Sequence, residues 1–384
     1  MTRFALAAAR LRPFSALEHP REVIRQFTPN WFAVTMGTGV VALALPQIPG
    51  AGPALMPVAE AIWQADIGLF TLFALLYALR WILFPQEARR IFGHGVVSMF
   101  LGTIPMGFAT LINGLIVFGL PRWGAQVVPL AEALWWLDAA MALACGVGVP
   151  FLMFSRQEHR FDTMTAVWLL PVVAAEVAAA SGGLIAPHLA DPASAYAMLV
   201  ASYALWACSV PVAFAMITML MLRMALHKLP DESMAATSWL ALGPIGTGAL
   251  GMLVLGADAP AIFAAQGLAG VGEIASGLGV LLGLVLWGFG MWWFLLATLI
   301  TCHHLRRGIP FNLGAWGYTF PIGVYTLATF RLGDTLGLAV FDLAGTVLAT
   351  GLTLLWLWVA GQTLRGGWCG RLFVSPCIAG LRRG

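Results

Sequence analysis

Long apolar runs broken by short polar connections set the rhythm of this chain. Ten stretches, 30–48, 62–84, 98–120, 128–154, 164–187, 194–222, 236–256, 270–300, 312–331 and 339–361, read as apolar. Each is near the about 20 residues that an α-helix needs to cross a bilayer core. The connections leave no room for a second folded domain. The pattern therefore predicts an all-α integral membrane protein: a tail over 1–29, a ten-helix transmembrane domain over 30–361 and a second tail over 362–384.

Composition agrees, with 60% hydrophobic and 10% charged residues, far from the mix of a soluble domain. The basic residues orient the spans, because cytoplasmic connections are rich in Lys and Arg. With the N-terminus inside, 18 of the 20 basic residues fall on one side, and only Arg122 and Arg331 on the other. Both termini are then cytoplasmic, as expected of a multi-pass protein of the cell membrane. No polybasic patch with interleaved aromatics points to nucleic acid. The five cysteines form no CxxC pair, and neither a metal nor a cofactor is expected.

A repeat runs through the odd-numbered spans. Pro105, Pro171, Pro244 and Pro321 stand in the third, fifth, seventh and ninth, and Gly37 with Gly39 holds the equivalent place in the first. Marker follows marker every 66–77 residues, the length of one helical hairpin. Five tandem hairpins in one orientation naturally surround a central path. A proline inside a helix deletes a hydrogen bond and kinks it, and in lipid the freed carbonyl must face protein or water. The odd helices are thus expected to line a shared interior.

The motifs at these positions, Pro29-Asn30-Trp31-Phe32 with Met36-Gly37-Thr38-Gly39, Ile104-Pro105-Met106-Gly107 and Trp316-Gly317-Tyr318-Thr319-Phe320-Pro321, carry a resemblance. The chain resembles the tellurite-resistance and dicarboxylate transporter family, which includes malate permeases, sulfite efflux pumps and slow-type anion channels. The resemblance implies five hairpins in quasi-five-fold arrangement around a pore, commonly as a homotrimer, with small anions as substrate. It also implies a phenylalanine gate on the ninth helix, and Phe320 matches it. A departure lies at His94, which Gly95 follows where the family often has proline.

Around Phe320, the residues expected to line the pore are Met36, Thr38, Ile104, Leu170, Gly243 and Thr319. Such a layer is apolar and flanked by hydroxyls, with no fixed cation. A hydrophobic constriction closes by dewetting. Ionisable residues within spans are functional candidates by default. Asp66, Asp138, Glu273 and Asp342 lie on even helices, outside the expected pore. Glu176, five residues beyond Pro171, is the candidate for proton coupling, expected to be either protonated or turned away from the path. All seven histidines fall in tails, loops or span ends, and no P-loop or HExxH is present, so no enzyme is expected. The favoured substrate is a C4-dicarboxylate such as malate, with sulfite, chloride and nitrate as competitors. Channel and proton-coupled carrier both stay open.

Overall fold

The computed structural model describes residues 13–379. Arg3, Arg10, Arg12, Arg382 and Arg383, counted among the tail cations, lie outside the described residues. Within them the chain is helical and no strand is found.

Ten principal helices follow in order. They are α1 (Phe32–Ala44), α2 (Gly52–Leu83), α3 (Thr103–Gly114), α4 (Val128–Ser155), α5 (Leu170–Ile185), α6 (Pro192–His227), α7 (Leu242–Ala264), α8 (Ala269–Leu305), α9 (Thr319–Leu336) and α10 (Ala339–Trp368). Eight helical stretches among the described residues are long and apolar enough to cross a membrane. The two that fall short contain α1, which has 13 residues, and α9, which carries Arg331 and Asp334. Several helices outrun the apolar stretches: α2 begins ten residues before position 62, and α10 continues seven past 361.

Odd and even helices differ in what they touch. Every residue of α1 is buried, and all of α5 except Leu184. Of the 32 residues of α2, only Gly52, Ala59, Trp63, Asp66, Phe73 and Arg80 are buried. Five of them recur at helical spacing along one stripe, leaving an apolar face such as Leu72, Leu75, Leu79 and Ile82 outward, as a lipid-facing helix requires. The odd helices pack in sequence, α1 on α3, α3 on α5, α5 on α7, α7 on α9, and α9 back on α1.

Glycine allows this close approach, since helices in lipid associate through backbone contact rather than a hydrophobic drive. A β-carbon on Gly37 would stand 2.2 Å from the Thr319 hydroxyl, between α1 and α9. One on Gly102 would meet the Leu170 carbonyl at 2.3 Å, where the third segment meets α5. Gly37 and Gly39 lie inside an unbroken α1, so the equivalent of the proline positions serves there as a contact.

The prolines occupy a specific place. Pro105, Pro171, Pro244 and Pro321 are the third, second, third and third residues of their α-helices. Before three of them runs a 3₁₀ stretch, Val97–Gly102, Ala166–Leu169 or Leu313–Tyr318, and before Pro244 a short helical turn, Thr237–Leu240. The missing proline N–H thus falls where the hydrogen-bond register changes, as at the start of a helix.

A second repeat binds even to odd. Each even helix donates one tryptophan indole N–H to the odd helix of the next hairpin. Trp63 reaches the Leu111 carbonyl at 3.1 Å, Trp135 the Ala178 carbonyl at 2.7 Å and Trp206 the Gly248 carbonyl at 3.1 Å. Trp287 donates to the Thr329 hydroxyl at 2.8 Å. Trp356, on the last hairpin, donates to Thr38 of the first at 3.1 Å.

Buried arginines tie one end. Arg80 donates to the Phe27 carbonyl and to the Ser375 hydroxyl, bringing both terminal segments onto α2. Arg223 donates to the Asp162 carbonyl at 2.6 and 2.9 Å and to that of Lys228 at 2.7 Å.

Candidate functional site

A cavity of about 330 Å³ lies at the C-terminal ends of the odd helices. Its wall takes Leu43 from α1, Ala180 and Gly183 from α5, Leu250 from α7 and Leu327 from α9, with Asn113 from α3. Every lining residue belongs to an odd helix or to the segment directly following one; the even helices contribute none. A single water needs only roughly 10–15 Å³ of such volume, so a small hydrated ion has room.

The polar groups of the wall are Gln47, Asn113, His188, Asp258, Arg331 and Asp334. Arg331 thus brings a cation to this cavity, which lies apart from the layer around Phe320 where no fixed cation is expected. Residues four and seven apart share a helix face, and Leu327, Arg331 and Asp334 are spaced that way along α9. In the sequence Arg331 ends an apolar run and stands only as one of the two cations on the side poor in Lys and Arg. Its spacing from Leu327 was the available signal, but one helix face cannot announce what it faces.

Three residues expected in the pore stand seven positions before a cavity-lining residue of the same helix. Met36 precedes Leu43, Gly243 precedes Leu250, and Phe320 precedes Leu327. Seven residues are two turns, so each shares a face with its lining residue and lies about 10 Å further along the helix. Phe320 is only 3% exposed and Met36 1%; Leu170 is buried and Ile104 half-buried. None of the seven expected lining and gating residues borders the cavity itself.

The hydroxyls are placed differently. Thr38 accepts from Trp356 of α10 and so looks toward an even helix. Thr319 sits against Gly37 and donates to the Trp316 carbonyl at 2.9 Å. Thr38 thus joins two helices, whereas Thr319 bonds within its own segment and packs where α9 meets α1.

Glu176 is fully buried and its carboxylate has no hydrogen-bond partner. Its polar neighbour is Ser209 on α6, whose hydroxyl donates to the Val172 carbonyl at 2.9 Å. Glu176 thus stands beside the even helix of its own hairpin and does not line the cavity. Asp66 and Asp138 are likewise fully buried without partners. Each is one turn beyond an indole donor, Trp63 or Trp135. At the opposite end, His94 accepts from the Val96 and Val97 N–H groups at 3.2 and 3.3 Å, a local cap that needs a neutral ring. Burial holds that imidazole below its ordinary pKa.

Comparison with known proteins bears on this arrangement. The profile of the voltage-dependent anion channel family matches residues 26–364. A sulfite efflux pump of Trichophyton rubrum is 36% identical over 345 residues, which cover 89% of this chain and 91% of the relative. An uncharacterized transporter of Methanocaldococcus jannaschii is 27% identical, over 93% and 98% of the two chains. The malic acid transport protein of Schizosaccharomyces pombe is 23% identical, over 87% and 77%. The matched residues run from before α1 into α10, and the resemblance read from the motifs is borne out. With most of the chain matched, and a relative above 30% identity aligned nearly end to end, the protein belongs to the voltage-dependent anion channel family.

Proposed function

We propose that this protein passes small anions across a membrane along the axis of its odd helices, with sulfite as the leading substrate. The observation that carries the reading is the cavity whose wall comes from all five odd helices and from no even one. In this reading α1 and α9, with their flanking turns, complete ten spans, and five hairpins stand in quasi-five-fold order over residues 30–361. The cyclic packing of odd helices and the closed series of indole bonds support that order. Both termini are cytoplasmic in the cell membrane, and a homotrimer is the proposed assembly.

Two turns below the cavity, Phe320 is the proposed gate, in a layer with Met36, Ile104, Leu170 and Gly243. A constriction of aromatic and aliphatic groups excludes ions by dewetting until a side chain moves. Sulfite is placed first because the sulfite efflux pumps of three fungi match at 36% identity. Malate is the second reading, supported by the more distant malic acid transport protein. Reconstituted in proteoliposomes, the protein is expected to take up labelled sulfite and to lose that uptake to excess unlabelled sulfite more readily than to malate, nitrate or chloride. Competition led by malate reverses the order of substrates, and absence of any anion flux defeats the reading.

A further inference from the structure

We propose that the cavity at the C-terminal ends of the odd helices holds an anion subsite, with the Arg331 guanidinium and the Asn113 side-chain amide as its donors. The inference deepens the anion-passage reading and rests on it.

Arg331 is half-buried, and its Nε is shielded from solvent without a hydrogen-bond partner. Among the described residues its side chain makes no ion pair, although Asp258 and Asp334 line the same cavity. A guanidinium in a membrane-embedded cavity is costly unless something of opposite charge meets it. Its planar fork of N–H groups fits the paired oxygens of an oxyanion. Asn113, from α3, has a buried side-chain oxygen that is also unpartnered. Among the described residues the Asn113 side chain makes no hydrogen bond, so it can offer N–H to an oxyanion oxygen and carbonyl to a bound water or acidic proton.

The carboxylates decide how tightly such a site holds. With Asp258 and Asp334 near the same space, the field of Arg331 is partly offset. An offset site fills and empties, whereas an isolated guanidinium in low dielectric would trap its ion, and conduction requires release. Arg331 and Asp258 are thus opposed adjusters of one affinity. A structural role for Arg331 would make both substitutions damaging in the same sense. An anion site makes them act in opposite senses.

The test uses sulfite as the probe with the full chain. In proteoliposomes, Arg331→Gln is expected to raise the sulfite concentration giving half-maximal uptake about tenfold, the range of a lost charge-assisted contact. Arg331→Lys keeps the charge without the fork and is expected to raise it about threefold. Asp258→Asn is expected to lower it several-fold while maximal uptake falls. In detergent, sulfite is expected to raise the melting temperature of the wild type and not of Arg331→Gln, since a ligand stabilises the state it binds. The subsite is overturned if Arg331→Gln leaves half-saturation within about twofold of wild type, or if Asp258→Asn raises it. Should Arg331→Gln fail to fold, the direction of the Asp258→Asn change decides. If the wild type transports no anion but sulfite still stabilises it in an Arg331-dependent way, the transport reading fails and the subsite stands.

Discussion

At the scale of single residues, the chain separates groups on the cavity-facing sides of the odd helices from groups that hold helices together. Phe320 is buried on the face of α9 that leads two turns later to Leu327 and the cavity. If its ring is the plug, shrinking it wets the constriction. Phe320→Ala is expected to increase sulfite flux at least several-fold in proteoliposomes at matched protein incorporation, on the order of the barrier a dewetted gate imposes. Unchanged or lower flux in a folded variant sinks the gate. Thr38 and Thr319 show why residue type alone misleads. A threonine beside a kink reads as a pore hydroxyl, yet Thr38 satisfies an indole from α10 and Thr319 donates to a carbonyl within its own segment. Threonine has this local alternative wherever it stands in a helix, and only coordinates tell which partner it takes.

Between helices, stability rests on contacts that depend on small residues and on satisfied donors. At Gly102 an added methyl would meet backbone atoms of Leu170 and Pro171 at 2.3–2.7 Å, which cannot rotate away as a side chain would. Gly102→Ala is expected to cost about 2 kcal/mol or more through forced separation of neighbouring odd helices, measured as loss of folded protein in a denaturant titration in mixed micelles. A second test addresses the indole series. Trp135→Phe keeps most of the ring and removes the N–H that reaches the Ala178 carbonyl at 2.7 Å, so a loss of about 1 kcal/mol is expected, within the range found for interhelical bonds in membranes. No loss in the same titration would mean that the bond is replaced in the unfolded state. The prolines were legible as a repeat from spacing alone. The tryptophans at positions 63, 135, 206, 287 and 356 recur as regularly, but their signal is diluted among 16 tryptophans in the chain. A donor becomes recognisable only once its acceptor on another hairpin is in view.

Over the whole molecule, charge and chain direction agree. Arg80 gathers Phe27 and Ser375 at one end, the end to which the basic connections were assigned. At the other, Arg122 pairs with Glu60 at 2.6 Å and Arg331 enters the cavity. If that second end is external, single cysteines introduced into a cysteine-free background should label from outside at position 122 and not at position 306. The reverse pattern in intact cells defeats the orientation. Energy coupling is a property of this scale too. Reversal potentials that shift with pH at a fixed anion gradient indicate proton coupling, whereas pH-independent Nernstian values indicate a channel. Glu176, set against Ser209 and away from the cavity wall, makes the second outcome the expected one.

By itself the amino-acid sequence determined that the chain is a helical membrane protein, how its hydrophobic runs divide, which family motifs it carries and that a feature recurs in alternate helices. All of these are local or periodic, written in contiguous residues or fixed intervals. Tertiary structure alone decided which polar groups meet. Arg331 and Asn113 stand more than two hundred positions apart, on α9 and α3, and share one cavity only because the odd helices pack in a cycle. The same closure assigned Thr38 to an indole more than three hundred residues away. Hydropathy and spacing record what lies along a chain or a helix face, and a cavity is made by faces from different helices, so its chemistry emerges only when they are brought together.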